Sequence, residues 1–349
     1  MKAIEILGRE IGPGQPCFII AEAGVNHNGS LEMARQLVDA AARAGADAVK
    51  FQTFKAEKVV SPQAPKAAYQ LQTTGARESQ LDMVKRLELP FDAFRELYVY
   101  CQDKRIRFMS TPFDEESVDF LAELNVAVFK IPSGEITNLP FLAHVARKGK
   151  PMIVSTGMSY LGEVEAAVRT IEETGNHDFV LLHCVSNYPA DPVDANLRAM
   201  QTMATAFSVP VGYSDHTPGI EVALAAVALG ACVIEKHFTL DRNLPGPDHR
   251  ASLEPDELVA LVRDIRTVEA ALGHGRKEPA ASEANTAAVA RRSLVAARDI
   301  PAGAVLTKEL IAIKRPGTGL PPAMRDTLIG RRVRVDVTAG ALYSLEMLG

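Results

Sequence analysis

The chain is expected to fold as an α/β protein, a (β/α)8 TIM barrel followed by a small β-rich domain, and three observations lead there. Eight short runs of apolar and β-branched residues lie between Cys17 and Thr239, separated by stretches with helical spacing. Near-continuous apolar strands alternating with helices make a parallel sheet covered by helices, and eight such units are the number that closes a barrel. Polar residues gather at the C-terminal ends of nearly all eight runs, the rim on which barrels of this kind build their sites. The rival, a doubly wound sheet, would be marked by G-x-G-x-x-G after the first strand, and that motif is missing there.

The strand runs are CFIIAEAG (17–24), AVKFQTF (48–54), RFMSTPF (107–113), AVFKIPSGE (127–135), PMIVSTGM (151–158), FVLLHCVSNYP (179–189), VPVGYSDH (209–216) and ACVIEKHFT (231–239). LEMARQLVDAAARAG (31–45) carries apolar or alanine positions at helical spacing and ends on Gly45, a C-cap residue. FDAFRELYVYCQDK (91–104), EVEAAVRTIEETG (163–175) and EVALAAVALG (221–230) read as helices in the same way. Composition changes after Gly273: HGRKEPAASEANTAAVA (274–290) is small and polar and reads as a linker. Segments 293–322 and 330–340 then give short strands broken by Pro-Ala-Gly and Pro-Gly turns. The domains expected are thus 1–273, the linker 274–290, and 291–349, whose small core is expected to pack on another surface.

The chain has 349 residues, 47% apolar and 23% charged, the composition of an ordinary globular protein of about two domains. A net charge of −5 gives no general attraction to nucleic acid or an anionic membrane. The longest apolar run, Val222 to Ile234, is too short to span a bilayer, and Glu5 and Glu10 stand where a signal peptide needs an apolar core. The four cysteines lie far apart with no C-x-x-C pair, and Cys17, Cys184 and Cys232 sit in apolar runs as buried thiols would. A cytoplasmic protein is expected.

The rim candidates follow strand by strand. The first strand offers Glu22, with Asn26, His27 and Asn28 beyond it, and the second Lys50 and Gln52. Next come Ser110 and Thr111, then Lys130, Ser133 and Glu135, then Ser155 and Thr156. The last three strands offer His183, Ser186, Asn187 and Tyr188; Ser214, Asp215 and His216; and Glu235, Lys236 and His237. A single polar strand end is usually a structural hydrogen bonder. Convergence on one rim is a different matter. His216 and His237 end neighbouring strands, and two imidazoles with oxygen donors nearby suit an octahedral Mn²⁺ or Mg²⁺ rather than a closed zinc site. A rim lysine can form a Schiff base, bind phosphate or balance a carboxylate. Two of them, Lys50 and Lys130, with Thr111, Ser133, Ser186 and Ser214, favour a phosphate cradle. The residues thus describe a metal-assisted enzyme acting on a phosphorylated or carboxylated small molecule.

Several segments, taken together and in order, resemble the sialic acid synthase family: IAEAGVNHNGS (20–30), VKFQTF (49–54), STPFD (110–114), KIPSGE (130–135), STGM (155–158), LLHCVSNYP (181–189), GYSDHT (212–217) and EKHFTLDRNLPGPDHRASLEPDEL (235–258). AARDIPAGAVLT (296–307) and KRPGTGL (314–320) look like the antifreeze-like (SAF) domain that these enzymes carry. The resemblance implies condensation of phosphoenolpyruvate with an N-acylated amino sugar to a nine-carbon 2-keto sugar acid, with release of phosphate. It implies His216 and His237 as metal ligands, and Thr111, Lys130, Ser133, Ser186 and Ser214 around phosphoenolpyruvate. Ser186 stands where some members have asparagine. Gln52, Tyr188, Asp248, Glu22 and Glu235 match positions around the acceptor. The rim lysine Lys50 is placed with the reacting groups, where Glu22 and Glu135 could stabilise or orient charge at C2 of phosphoenolpyruvate. Segments 64–83 and 245–258 resemble the branch that makes N-acetylneuraminate or N,N'-diacetyllegionaminate, and N-acetylmannosamine is the acceptor read first. The resemblance also implies a domain-swapped homodimer in which Arg315 reaches the acceptor in the partner's barrel. Two other readings differ in class: a non-catalytic carbohydrate-binding protein, disfavoured by the complete rim, and a Schiff-base aldolase using free pyruvate.

Overall fold

The computed structural model describes residues 3–6 and 8–349. The chain forms two compact units, residues 1–273 and 274–349. In the first, a hairpin of β1 (Ile4–Ile6) and β2 (Arg9–Ile11) precedes β3 (Phe18–Gly24), α1 (Leu31–Ala44) and β4 (Ala48–Thr53). Three short helices follow, α2 (Ala56–Val59), α3 (Ala68–Thr74) and α4 (Gln80–Leu87), before α5 (Phe91–Asp103) and β5 (Arg107–Pro112). The alternation then runs α6 (Glu115–Glu123), β6 (Phe129–Ile131), α7 (Leu139–Ala146), β7 (Met152–Ser155), α8 (Leu161–Glu173) and β8 (Phe179–Cys184). It closes with α9 (Ala199–Phe207), β9 (Val211–Asp215), α10 (Glu221–Ala228), β10 (Val233–His237) and α11 (Pro255–Leu272).

Strands β3 to β10 form one parallel sheet in the order β5-β4-β3-β10-β9-β8-β7-β6, and its end strands β5 and β6 lie in contact, so the barrel is nearly closed. The strands are apolar on both faces because both are covered. Phe18, Ile20, Met109, Ile153, Val180, Leu182 and Val233 fill the interior together with Ile4, Ile6 and Ile11 of the hairpin. The outward residues pack against the helix ring. Local chemistry sets the helix ends: the Ser30 hydroxyl accepts from the Met33 amide at the start of α1, and Gly45 ends it at φ 76°. Among the described residues no helix is long and apolar enough to cross a membrane.

The second unit holds the antiparallel pair β11 (Ser293–Ala296) and β12 (Ile311–Lys314) around a core that includes Leu294, Ile300, Leu306, Leu328, Val333, Val337 and Tyr343. GRRVRVDVTAG (330–340) forms isolated bridges rather than a strand. The segment 274–290, expected as a linker, contains the helix α12 (Ala284–Ala290) and belongs to this unit; a last short helix, α13, spans Arg325–Leu328. Alanine gives α12 helix propensity without an apolar stripe, which is why no periodicity marked it.

Candidate active site

Strand alternation sends every second residue at the C-terminal ends into the barrel mouth. On β9 and β10, Ser214 and Glu235 face that mouth, where the Ser214 hydroxyl donates to Glu235 Oε1 at 2.9 Å. The next residues, Asp215 and Lys236, pair with each other at 2.6 Å outside it. The mouth is a cavity of about 410 Å³, within the usual range for small-molecule sites. Glu22, Lys50, Gln52, Thr111, Lys130, Ser133, Ser186, Tyr188, Ser214, His216, Glu235, His237 and Asp248 all line it.

At its floor are four buried charged groups. Lys50 Nζ lies 2.8 Å from Glu22 Oε2 and 3.6 Å from Glu235 Oε2, and donates to Thr111 Oγ1 at 2.8 Å. Lys130 Nζ lies 3.2 Å from Glu235 Oε1, and Gln52 Nε2 donates to Glu22 Oε1 at 3.2 Å. Burial pushes the Glu22 carboxyl up to about 7, more than Lys50 can offset. Burial also acts on Glu235, but Lys130 and Lys50 together outweigh it and hold that carboxyl below the ordinary range. Burial lowers Lys130, whereas Glu22 and Glu235 overcome burial at Lys50 and raise it. Near neutral pH two lysines therefore face one firmly ionised carboxylate and one half-protonated one. Two lysine donors beside hydroxyl groups suit an anion.

The serines meet on the other side. The Gly157 amide donates to Ser133 Oγ at 3.0 Å, and Ser133 Oγ lies 3.0 Å from Cys184 Sγ. A Cβ at Gly157 would stand 2.3 Å from Ser186 Oγ, so only glycine lets Ser133, Cys184 and Ser186 close in. Gly24 plays the same part beside Glu22, Gln52 and His237: it sits at φ 54°, and a Cβ there would come within 3.4 Å of all three.

The ring centroids of His216 and His237 are 5.5 Å apart. His216 Nδ1 lies 2.7 Å from the Val185 carbonyl, which can only accept, so Nδ1 carries the proton and Nε2 keeps its lone pair. Burial lowers both imidazoles, and His237 Nδ1 is buried without a partner among the described residues. Two neutral imidazoles, one with an orphaned nitrogen, fit a divalent metal that takes its other ligands from water or substrate oxygens. Among the described residues no group of three or more His, Cys, Asp or Glu forms a closed cage.

Glu135 is not among the residues that line this cavity. Pro132 turns the chain into a short 3-10 helix, Ser133–Glu135, and the Glu135 carboxylate accepts from Asn138 Nδ2 at 2.6 Å instead of facing the floor. Arg315 follows β12 in the second unit, where it is exposed. Two further residues contribute, one of them, Ser155, already among the rim candidates. Ser155 lines the cavity with its hydroxyl unpartnered among the described residues, and its strand-end position was the signal. Tyr69 lies in segment 64–83, whose resemblance to one branch of the family does not single out this residue.

Comparison with known proteins identifies the family of both units. The NeuB family model matches residues 37–277, and that of the SAF domain residues 291–348. The chain is 51% identical to the N,N'-diacetyllegionaminic acid synthase of Legionella pneumophila over 96% of its own length and 95% of the relative's. It is 39% identical to the human N-acetylneuraminate-9-phosphate synthase over 95% and 92% of the two chains. The crystal structure of the N-acetylneuraminic acid (sialic acid) synthetase of Leptospira borgpetersenii in complex with citrate superposes with a TM-score of 0.72, at 40% identity, covering 82% of this chain and 95% of that one. The chain belongs to the NeuB family of sialic acid synthases, with a SAF domain after its barrel.

Proposed function

We propose that the barrel joins C3 of phosphoenolpyruvate to the aldehyde carbon of 2,4-diacetamido-trideoxymannose, forming N,N'-diacetyllegionaminate and phosphate. The observation that carries this reading is the two-sided cavity, with buried Lys50 and Lys130 at the floor and an apolar wall of Val25, Phe54, Val60, Met83 and Leu87 above it. Lys130, with Thr111, Ser133, Ser186 and Ser214, holds the phosphate and carboxylate of phosphoenolpyruvate. The apolar wall takes the deoxygenated end of the acceptor, where a hydroxyl would lose its water without a partner. The 51% identity to the Legionella enzyme supports the same acceptor.

A divalent metal, Mn²⁺ or Mg²⁺, held by His216 and His237 would act as a Lewis acid on the acceptor aldehyde. The Glu22 carboxyl, with a pKa near 7 and oriented by Gln52, lies beside the positive charge that develops at C2 when C3 attacks. Water then adds at C2, and the tetrahedral centre expels phosphate as its C–O bond breaks. Tyr188 and Asp248 face the sugar.

N-acetylmannosamine, the acceptor read first from the motifs, is the second reading, favoured by the 40% identical Leptospira sialic acid synthetase. Supplying both sugars in competition with limiting phosphoenolpyruvate, and weighing the products by mass spectrometry, tests the choice. The legionaminate product should dominate; a neuraminate product in excess would reverse the two readings. A domain-swapped homodimer with Arg315 serving the partner's barrel rests on the KRPG motif. It is tested by mixing inactive Arg315→Ala and His237→Ala chains, which should regain activity as heterodimers.

A further inference from the structure

Between β4 and α5 the chain makes a long excursion, and one side chain from it reaches the catalytic aromatics. Tyr69, on α3, packs its ring on Tyr188 with centroids 5.2 Å apart and planes at 36°. Tyr188 in turn lies 4.2 Å from the His216 ring and meets His237 edge-on at 5.5 Å. The excursion is thus joined to the floor of the site through two aromatic contacts. Tyr69 lines the same cavity as Tyr188 and Asp248.

Its placement is built. Lys66, whose side chain is only 2% exposed, binds Thr74 Oγ1 at 2.9 Å and the Gly75 carbonyl at 3.1 Å, and pairs with Glu78 at 3.4 Å. Gln70 Oε1 accepts from the Ala67 amide at 3.0 Å, fixing the other end of α3. Burial and the nearby Asp248 carboxylate keep the Tyr69 phenol protonated, so its hydroxyl remains a donor. Sugars present C–H faces and acetamido methyls that pack on aromatic rings, and a donor phenol beside a carboxylate can orient a hydroxyl or amide oxygen.

We propose that Tyr69 is a specificity-determining residue for the acceptor, forming with Tyr188 an aromatic wall that clamps the acetamido-bearing face of the sugar. The inference rests on the reading of the barrel as an amino-sugar synthase. Phosphoenolpyruvate, held at the lysine and serine side, does not depend on Tyr69.

The test uses the full chain loaded with Mn²⁺, measuring phosphate release with each of the two acceptors for the wild type, Tyr69→Ala and Tyr69→Phe. In Tyr69→Ala the acceptor KM should rise by about tenfold or more while the phosphoenolpyruvate KM stays within about twofold, and the preference between the acceptors should shrink by about fivefold. Tyr69→Phe, which keeps the ring, should recover most of the acceptor affinity. An unchanged acceptor KM, an unchanged preference, or equal rises in both KM values would overturn the inference while leaving an active wild type and its function intact. A wild type that releases no phosphate with either sugar would overturn the functional reading itself, and this inference with it.

Discussion

The two ends of the barrel are both ionic, and they are ionic in opposite ways. At the N-terminal end Asp47 pairs with Arg9 and, at 3.0 Å, with Arg266, and accepts from the Ile19 amide at 2.8 Å. Arg266 also reaches the Cys17 carbonyl at 2.9 Å and Glu269 at 3.0 Å, and Arg9 donates to Cys17 and Pro16 carbonyls. All of these groups retain some exposure to solvent and are partnered. At the C-terminal end Glu22, Lys50, Lys130 and Glu235 are almost fully buried. Yet among the described residues Ser155 Oγ and His237 Nδ1 have no hydrogen bond there, and Glu22 Oε2 and Glu235 Oε2 meet only the Lys50 ammonium, as ion pairs. Leaving a buried polar atom unmatched costs about 1–3 kcal/mol. The closed end spends its charges on holding the fold together, whereas the open end keeps valences free for a ligand.

The sharpest way to break this contrast is to remove His237. His237→Ala should lower turnover by about 10³-fold while costing only about 1–2 kcal/mol of stability, since it loses ring contacts with Tyr188 and His216 but, among the described residues, no hydrogen bond at Nδ1. Chelation of the wild type should cause the same loss, reversed by Mn²⁺ or Mg²⁺; full activity after exhaustive chelation would remove the metal from the account. Lys130→Ala should raise the KM for phosphoenolpyruvate by about 30- to 150-fold, the loss of a charge-assisted contact of about 2–3 kcal/mol, and barely change that of the sugar. Equal effects on both substrates would contradict the assignment.

Glu22 sharpens the contrast through pH. Its folded pKa of about 7 lies above the ordinary 4.5, so the folded state holds the proton more tightly than the unfolded chain. Its penalty on stability is absent below about 4.5, grows as pH rises through 7, and is complete above that. Glu22→Gln lacks this titration, and denaturant midpoints should shift in its favour relative to wild type by about 3 kcal/mol between pH 4.5 and pH 8. A constant difference would show that Glu22 ionises normally. The smallest effect on activity belongs to the other end: Asp47→Asn should cost about 1–3 kcal/mol of stability and leave both KM values unchanged.

The barrel was legible in the sequence because its strands are covered on both faces and therefore read as unbroken apolar runs between amphipathic helices. The floor of the site was legible for a related reason: Lys50, Lys130 and Glu235 interrupt such runs, which a buried strand tolerates only where charge has a use. The placement of Glu135 was not legible, because its motif continues a strand in sequence while Pro132 bends the chain into a turn that carries the carboxylate to Asn138. Tyr69 was hidden for the opposite reason. The helices α2 to α4 are short, α3 buries no residue fully, and no period in that segment distinguishes a ring that meets Tyr188 from one that meets water.

The central claim, that the unmatched end of the barrel handles phosphoenolpyruvate and an amino sugar together, is tested most directly by following phosphate release. The metal-loaded chain is given phosphoenolpyruvate with and without 2,4-diacetamido-trideoxymannose or N-acetylmannosamine. The account predicts one phosphate for each nine-carbon acid formed, and phosphate only when a sugar is present. Formation of a carbon–carbon product from free pyruvate in the absence of phosphoenolpyruvate, with Lys50 or Lys130 trapped by borohydride, would contradict it.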